Sequence, residues 1–159
     1  MSERKYSPTC GNCRHKAMAI ATVPYAVTVN HDGRQYSLSI ANLTVPKCGN
    51  CGELSIDDEA DRQIDTAFRR AAGLLTPEEI RAGREKAGLT QQQFAELLAI
   101  SDSTLSRWET GAQIQQRGYN RMMTAFFDLP ALREYLAQQV GGAANGTVTE
   151  PWAATNVPS

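Results

Sequence analysis

The chain has 159 residues, 42% of them hydrophobic and 21% charged, with a formal net charge of −1. That composition describes a folded globular chain with room for one ordinary domain or two small ones, and excludes a collagen-like or low-complexity polymer. The near-zero balance argues against non-specific coating of nucleic acid. It is uneven, however: residues 1–52 hold six Lys/Arg against two Asp/Glu, residues 53–75 three against six, and residues 76–140 seven against eight. A basic front, an acidic hinge and a near-neutral back suggest separate modules.

Residues 1–16 are polar and the apolar runs elsewhere are short, so neither a signal peptide nor a membrane span is expected and the location expected is cytoplasmic. The tetrapeptide CGNC occurs at 10–13 and again at 48–51. Two C-x-x-C pairs 34 residues apart point to a Cys₄ tetrahedral site for one structural Zn²⁺, held by Cys10, Cys13, Cys48 and Cys51. A thiol redox pair is the competing reading. Gly11, Gly49 and Gly52 are expected to supply the unusual backbone angles of the two knuckles. His15 follows Cys13 too closely to be a natural ligand.

Between the knuckles the pattern alternates: Tyr25, Val27 and Val29, then Tyr36, Leu38 and Ile40, on either side of NHDGR with its Asp-Gly turn signal. This predicts a small antiparallel sheet clamped by metal, a zinc-ribbon-like module over 1–54. Its apolar faces exceed what so small a ribbon buries, so a partner or the next helix must cover them.

Residues 55–75 read as a connecting helix. Ser55 or Asp57 caps it, acidic residues fill its first turn, Arg69 and Arg70 its last, and Gly73 stops it; Ile64, Ala67, Phe68 and Ala71 form its apolar stripe. Residues 76–140 read as a helical domain. Thr76, Pro77 and Glu79 form a capping box for a helix over 77–87, and Thr90 with Gln93 repeats the device. The next helix carries Phe94, Leu97 and Leu98. Ser101 caps another over 102–110, ended by Gly111. Leu105 and Trp108 bury together, leaving Asp102, Ser103, Ser106, Arg107 and Thr110 on the wet face. Two short helices joined by a tight turn form a helix-turn-helix. Met122, Met123, Phe126 and Phe127 read as core; Phe126, Phe127, Leu132 and Leu136 together make an apolar excess suited to a dimer seam. Residues 141–159 lack any period and read as a disordered tail, with Trp152 unexplained. The fold class expected is α+β: a Cys₄ β module joined by a helix to an all-α DNA-binding domain.

The segment IRAGREKAGLTQQQFAELLAISDSTLSRWETG (80–111) resembles the XRE/Cro-type helix-turn-helix family. With the two CGNC knuckles ahead of it, the chain from residue 10 to about 137 resembles the YgiT-type zinc-finger/helix-turn-helix family of MqsA-like antitoxins. Two positions depart from the pattern. Arg14 stands where a Gly commonly follows the second Cys, and Ala99 where the turn commonly has Gly.

The resemblance implies that Gln91 grips phosphate while Ser101, Asp102, Ser103, Thr104, Ser106 and Arg107 meet the operator. Arg107 is then the leading reader of guanine, and Asp102 more a helix-dipole partner than a base reader. It implies an ion pair between Arg84 and Glu109, and a homodimer through the C-terminal domain on a palindromic operator in double-stranded DNA. It also implies a repressor that neutralises an MqsR-like toxin through its zinc module and autoregulates its operon. The alternative is a stand-alone XRE-type regulator with a structural zinc module and no toxin. No His/Glu set has catalytic spacing, so no enzyme is expected.

Overall fold

A computed structural model describes residues 6–143, and these fall into two compact units divided between Leu74 and Leu75. The expected disordered tail at 141–159, Trp152 included, lies beyond the described residues from 144 onward; Gly141–Ala143 belong to the last helix.

The first unit is a long β-hairpin and one helix. Strands β1 (Met18–His31) and β2 (Arg34–Cys48) run antiparallel. Asp32 and Gly33 join them at φ 52° and 73°, the two left-handed residues that a type I′ turn requires. His31 and Arg34 close the ladder. The register slips between Val23 and Tyr25, so that Pro24, which has no N–H to donate, sits at an irregularity rather than inside a regular ladder. Alternation then puts Val23, Tyr25, Val27 and Val29 on the same face as Leu38, Leu43 and Val45.

Helix α1 (Asp58–Ala72) covers that face. Asp57 accepts from the Ala60 N–H at its start, and Gly73 ends it in the left-handed conformation. Leu43, Val45 and Ala60 are buried together with Val23, Tyr25, Ile40, Leu54 and Ile64 packed around them. The Phe68 ring meets the edges of His31 and Tyr36 at 5.2 and 5.3 Å. Arg69 is fully buried, its Nε 2.8 Å from Asp65.

The second unit contains α2 (Pro77–Lys86), α3 (Gln91–Leu97), α4 (Asp102–Thr110), α5 (Arg117–Asp128) and α6 (Pro130–Ala143). Both capping boxes form: Thr76 with Glu79, and Thr90 with Gln93. Ile80, Phe94, Ala95, Leu98, Leu105, Trp108, Met123 and Phe126 make one core. The small Ala95 is buried within it, and Gly83 lets the Phe127 ring come in close: a Cβ there would lie 2.6 Å from that ring.

The α+β reading therefore holds. Two expectations change. Phe126 is buried, and Phe127, Leu132 and Leu136 pack on the unit's own core while staying half-buried, so part of the apolar excess expected at a dimer seam is used within the unit. Met122, expected in the core, is instead exposed, because α5 turns it away from the face that carries Met123 and Phe126.

Candidate metal centre and nucleic-acid interface

The four cysteines converge at the base of the hairpin. Cys48 ends β2 opposite Met18, and the first knuckle folds back onto the start of β1, with the Met18 N–H donating to the Pro8 carbonyl. The two knuckles are built alike. Arg14 N–H donates to the Cys10 carbonyl at 3.0 Å, and Gly52 N–H to the Cys48 carbonyl at 2.9 Å. Both donors are left-handed, Arg14 at φ 64° and Gly52 at φ 78°. Position 14 therefore keeps the backbone geometry that Gly usually provides, at the cost of Cβ crowding. Gly11 and Gly49, expected to share that role, do not have positive φ.

The four Sγ atoms lie within 4.8 Å of one another, with Cys10–Cys51 at 3.7 Å and Cys13–Cys48 at 3.6 Å. A tetrahedral centre with metal–sulfur bonds of about 2.3 Å spaces its sulfurs about 3.8 Å apart, so the cluster has the dimensions of a Cys₄ metal site. The electrostatics agree. The His15 backbone and then the Asn50 side chain hold the Cys13 thiol down to about 5. Glu53 N–H pulls Cys51 down, but burial and the three neighbouring thiols outweigh it and push that group up to about 11. Sulfurs so close cannot all ionise alone, and a divalent cation removes that conflict. His15 is not a ligand: its Nδ1 sits 3.0 Å from the Cys13 carbonyl, and its pKa is raised first by hydrogen bonding to Cys13.

In the helical unit, α3 and α4 form the helix-turn-helix. Ala99 at φ 54° makes the turn, where its Cβ is as unfavourable as that of Arg14. Ser101 caps α4 by accepting from Thr104 N–H. Its hydroxyl also lies 3.0 Å from that of Ser103 and 2.8 Å from that of Thr104, so the expected reading residues at this end form one hydroxyl network. Asp102 accepts from the Ser103 N–H through Oδ1, which suits the dipole role. Ser103, Arg107 and Thr110 are exposed and Ser106 is half-exposed. All four lie on the side of α4 away from buried Leu105 and Trp108.

Beneath that face lies a buried carboxylate. Glu109 takes bonds from Arg84 Nε at 2.6 Å and Nη2 at 3.0 Å, and from Gln91 Nε2 at 2.9 Å. The bonding to Glu109 raises the Arg84 pKa further. Arg84 also donates to the Leu89 carbonyl, so α2, the α2–α3 turn, α3 and α4 are tied at one point. Gln91, expected to present its amide to phosphate, gives that amide to Glu109 instead.

Sequence reasoning missed a second network. Buried Gln115 donates to the Leu75 carbonyl and to Asn120 Oδ1, which accepts the Leu75 N–H. Amides carry no periodic signal, and only the fold brings residue 75 to residues 115 and 120.

No described helix is long and apolar enough to cross a membrane. No curated protein matches the chain. Residues 78–136, which run from the start of α2 to the middle of α6, match the helix-turn-helix domain family.

Proposed function

We propose that this protein is a sequence-specific repressor that binds double-stranded operator DNA with α4 in the major groove. The observation that carries the reading is the exposed Ser103–Ser106–Arg107 face on a short helix anchored from below by Glu109, Arg84 and Gln91. A rigid mount for a side chain with a forked donor is what direct reading of a guanine edge needs. The start of α5 supports it. Gln116 makes no side-chain cap bond and no acid occupies the first turn, whereas α1 and α2 both begin with acidic residues. Its N-terminal N–H groups, with Arg117 and Arg121, suit phosphate. Gln91 acts here by orienting Glu109, and the α3 N-terminus contributes backbone donors.

Our reading makes the first unit a structural zinc module, with Cys10, Cys13, Cys48 and Cys51 as ligands. Zinc fits a compact four-sulfur site with no other ligand among the described residues. The likeness of the two knuckles and the helical domain to MqsA-like antitoxins extends the proposal to a toxin partner on the zinc module and repression of the chain's own operon by a homodimer. No enzymatic activity is proposed.

Footprinting the protein on its own upstream DNA tests the regulator reading. Protection of a two-fold repeated sequence supports it; binding that is the same on unrelated DNA contradicts it. Co-purification with the product of an adjacent reading frame, lost on Cys48→Ser, tests the antitoxin reading. A zinc-loaded protein that captures no such product contradicts it.

A further inference from the structure

The two edges of the β-hairpin differ. The outer edge of β2 is blocked: the Gln63 side chain accepts the Thr44 N–H at 3.0 Å and donates to the Thr44 carbonyl at 3.2 Å, as a neighbouring strand would. Further along, Ser55 N–H reaches the Pro46 carbonyl, Cys48 N–H reaches the Glu53 carbonyl, and Leu54 bridges Lys47. Among the described residues, the outer edge of β1 is covered only at its start, where Met18 N–H meets the Pro8 carbonyl.

The register tells which β1 groups face outward. Thr44 turns its backbone away from β1, so its opposite, Thr22, turns away from β2, and the even-numbered residues that follow do the same. The two-residue turn closing on His31 and Arg34 requires the same parity. Ala26, Thr28 and Asn30 therefore aim N–H and C=O outward, and among the described residues nothing meets them. Pro24 is the next outward position and interrupts the row.

Two further features describe what fits this edge. Residues 18–30 contain no Asp, Glu, Lys or Arg, although edge strands usually carry charge to prevent pairing. The apolar face also runs on past the cover that α1 provides: Leu38, Leu43 and Val45 on β2 are buried, but Val27 and Val29 on β1 are only half-buried.

We propose that β1 pairs antiparallel with β1 of a second copy of this chain, in a register centred on Thr28. Thr28 then faces the second copy's Thr28, and Ala26 faces its Asn30. Val27 and Val29 extend the apolar face into that of the copy. Pro24 falls outside the paired run. A two-fold axis brings each central residue against itself, so any charge there would be repelled, and the uncharged segment satisfies that condition. A foreign strand imposes no such condition and is commonly chosen by opposite charge. The interface belongs to the first unit, and the DNA-reading face of α4 to the second.

Sedimentation equilibrium of the full zinc-loaded chain tests this. Thr28→Lys and Thr28→Glu should each halve the average mass seen for the wild type, and an equimolar mixture of the two should restore it. Thr28→Pro removes an outward donor without deleting a bond between β1 and β2, and should act likewise with metal content unchanged. An unchanged mass for Thr28→Lys overturns the proposal. So does a mixture that stays apart, or a Thr28→Lys chain that keeps its mass but loses capture of another polypeptide. DNA binding by the same variants, expected to persist at single sites, reports separately on the α4 reading.

Discussion

Arg84 and Glu109 are 25 residues apart in sequence, yet the Arg84 guanidinium binds both carboxylate oxygens of Glu109, at 2.6 and 3.0 Å. The Glu109 side chain has no exposed surface, and Gln91 donates to one of the same oxygens. Desolvating a carboxylate is costly unless its lone pairs are filled, and here three donors fill them. Glu109→Gln should keep the shape but lose the ion pair. Arg84→Ala should leave the buried carboxylate with Gln91 and a 3.9 Å approach of Arg81 Nε in place of its close ion pair, and cost about 3–5 kcal/mol. Denaturant melts of both variants check this; an Arg84→Ala loss below that of Glu109→Gln contradicts it.

Gly83 faces the Phe127 ring, which also stacks on Phe94 at 5.6 Å between centroids. Ala is the better helix former by about 1 kcal/mol. The added methyl nevertheless meets the ring at 2.6 Å, and overpacking costs about 1–3 kcal/mol. Gly83→Ala should therefore lower Tm on balance, by a few degrees. A raised Tm would mean the ring moves aside freely.

Ala99 and Arg14 hold left-handed backbone without being glycine. Replacing either by Gly removes Cβ crowding worth about 1–2 kcal/mol and returns part of it as unfolded-chain entropy. Ala99→Gly should stabilise the helical unit by roughly 1 kcal/mol in equilibrium unfolding. No gain would mean the turn is already relaxed.

Metal removal should affect the units unequally. The first unit has a small core, built around Leu38, Leu43, Val45, Ala60 and Phe68, and relies on its four cysteines to close the hairpin base. The second has its own eight-residue core and no cysteine. Chelation should abolish the β signal in circular dichroism and leave most of the helical signal. Loss of both together would contradict independent units.

Much of this was legible in the chain. Both capping boxes, the Asp-Gly turn and the spacing of the cysteines depend on residues within a few positions of one another, where local chemistry decides the geometry. So does the division of α4 between Leu105 and Trp108 on one side and Arg107 on the other. What escaped depends on tertiary meetings. The amide of Gln91 looked outward until Glu109 was placed behind it, and nothing around Gln63 announced that it would stand in for a strand against Thr44. The aromatic run at Phe126 and Phe127 looked surplus because the space between α2 and α3 that it fills is not visible along the sequence.

The central claim is that Arg107 reads a base from a rigid α4. Arg107→Ala, assayed by gel shift on the footprinted operator and on variants of each base pair, tests it most directly. Affinity for the operator should fall by about 1–3 kcal/mol, with preference lost at one base pair per half-site and retained elsewhere. An equal loss on every sequence would make Arg107 a phosphate contact, and no loss would remove α4 from the interface.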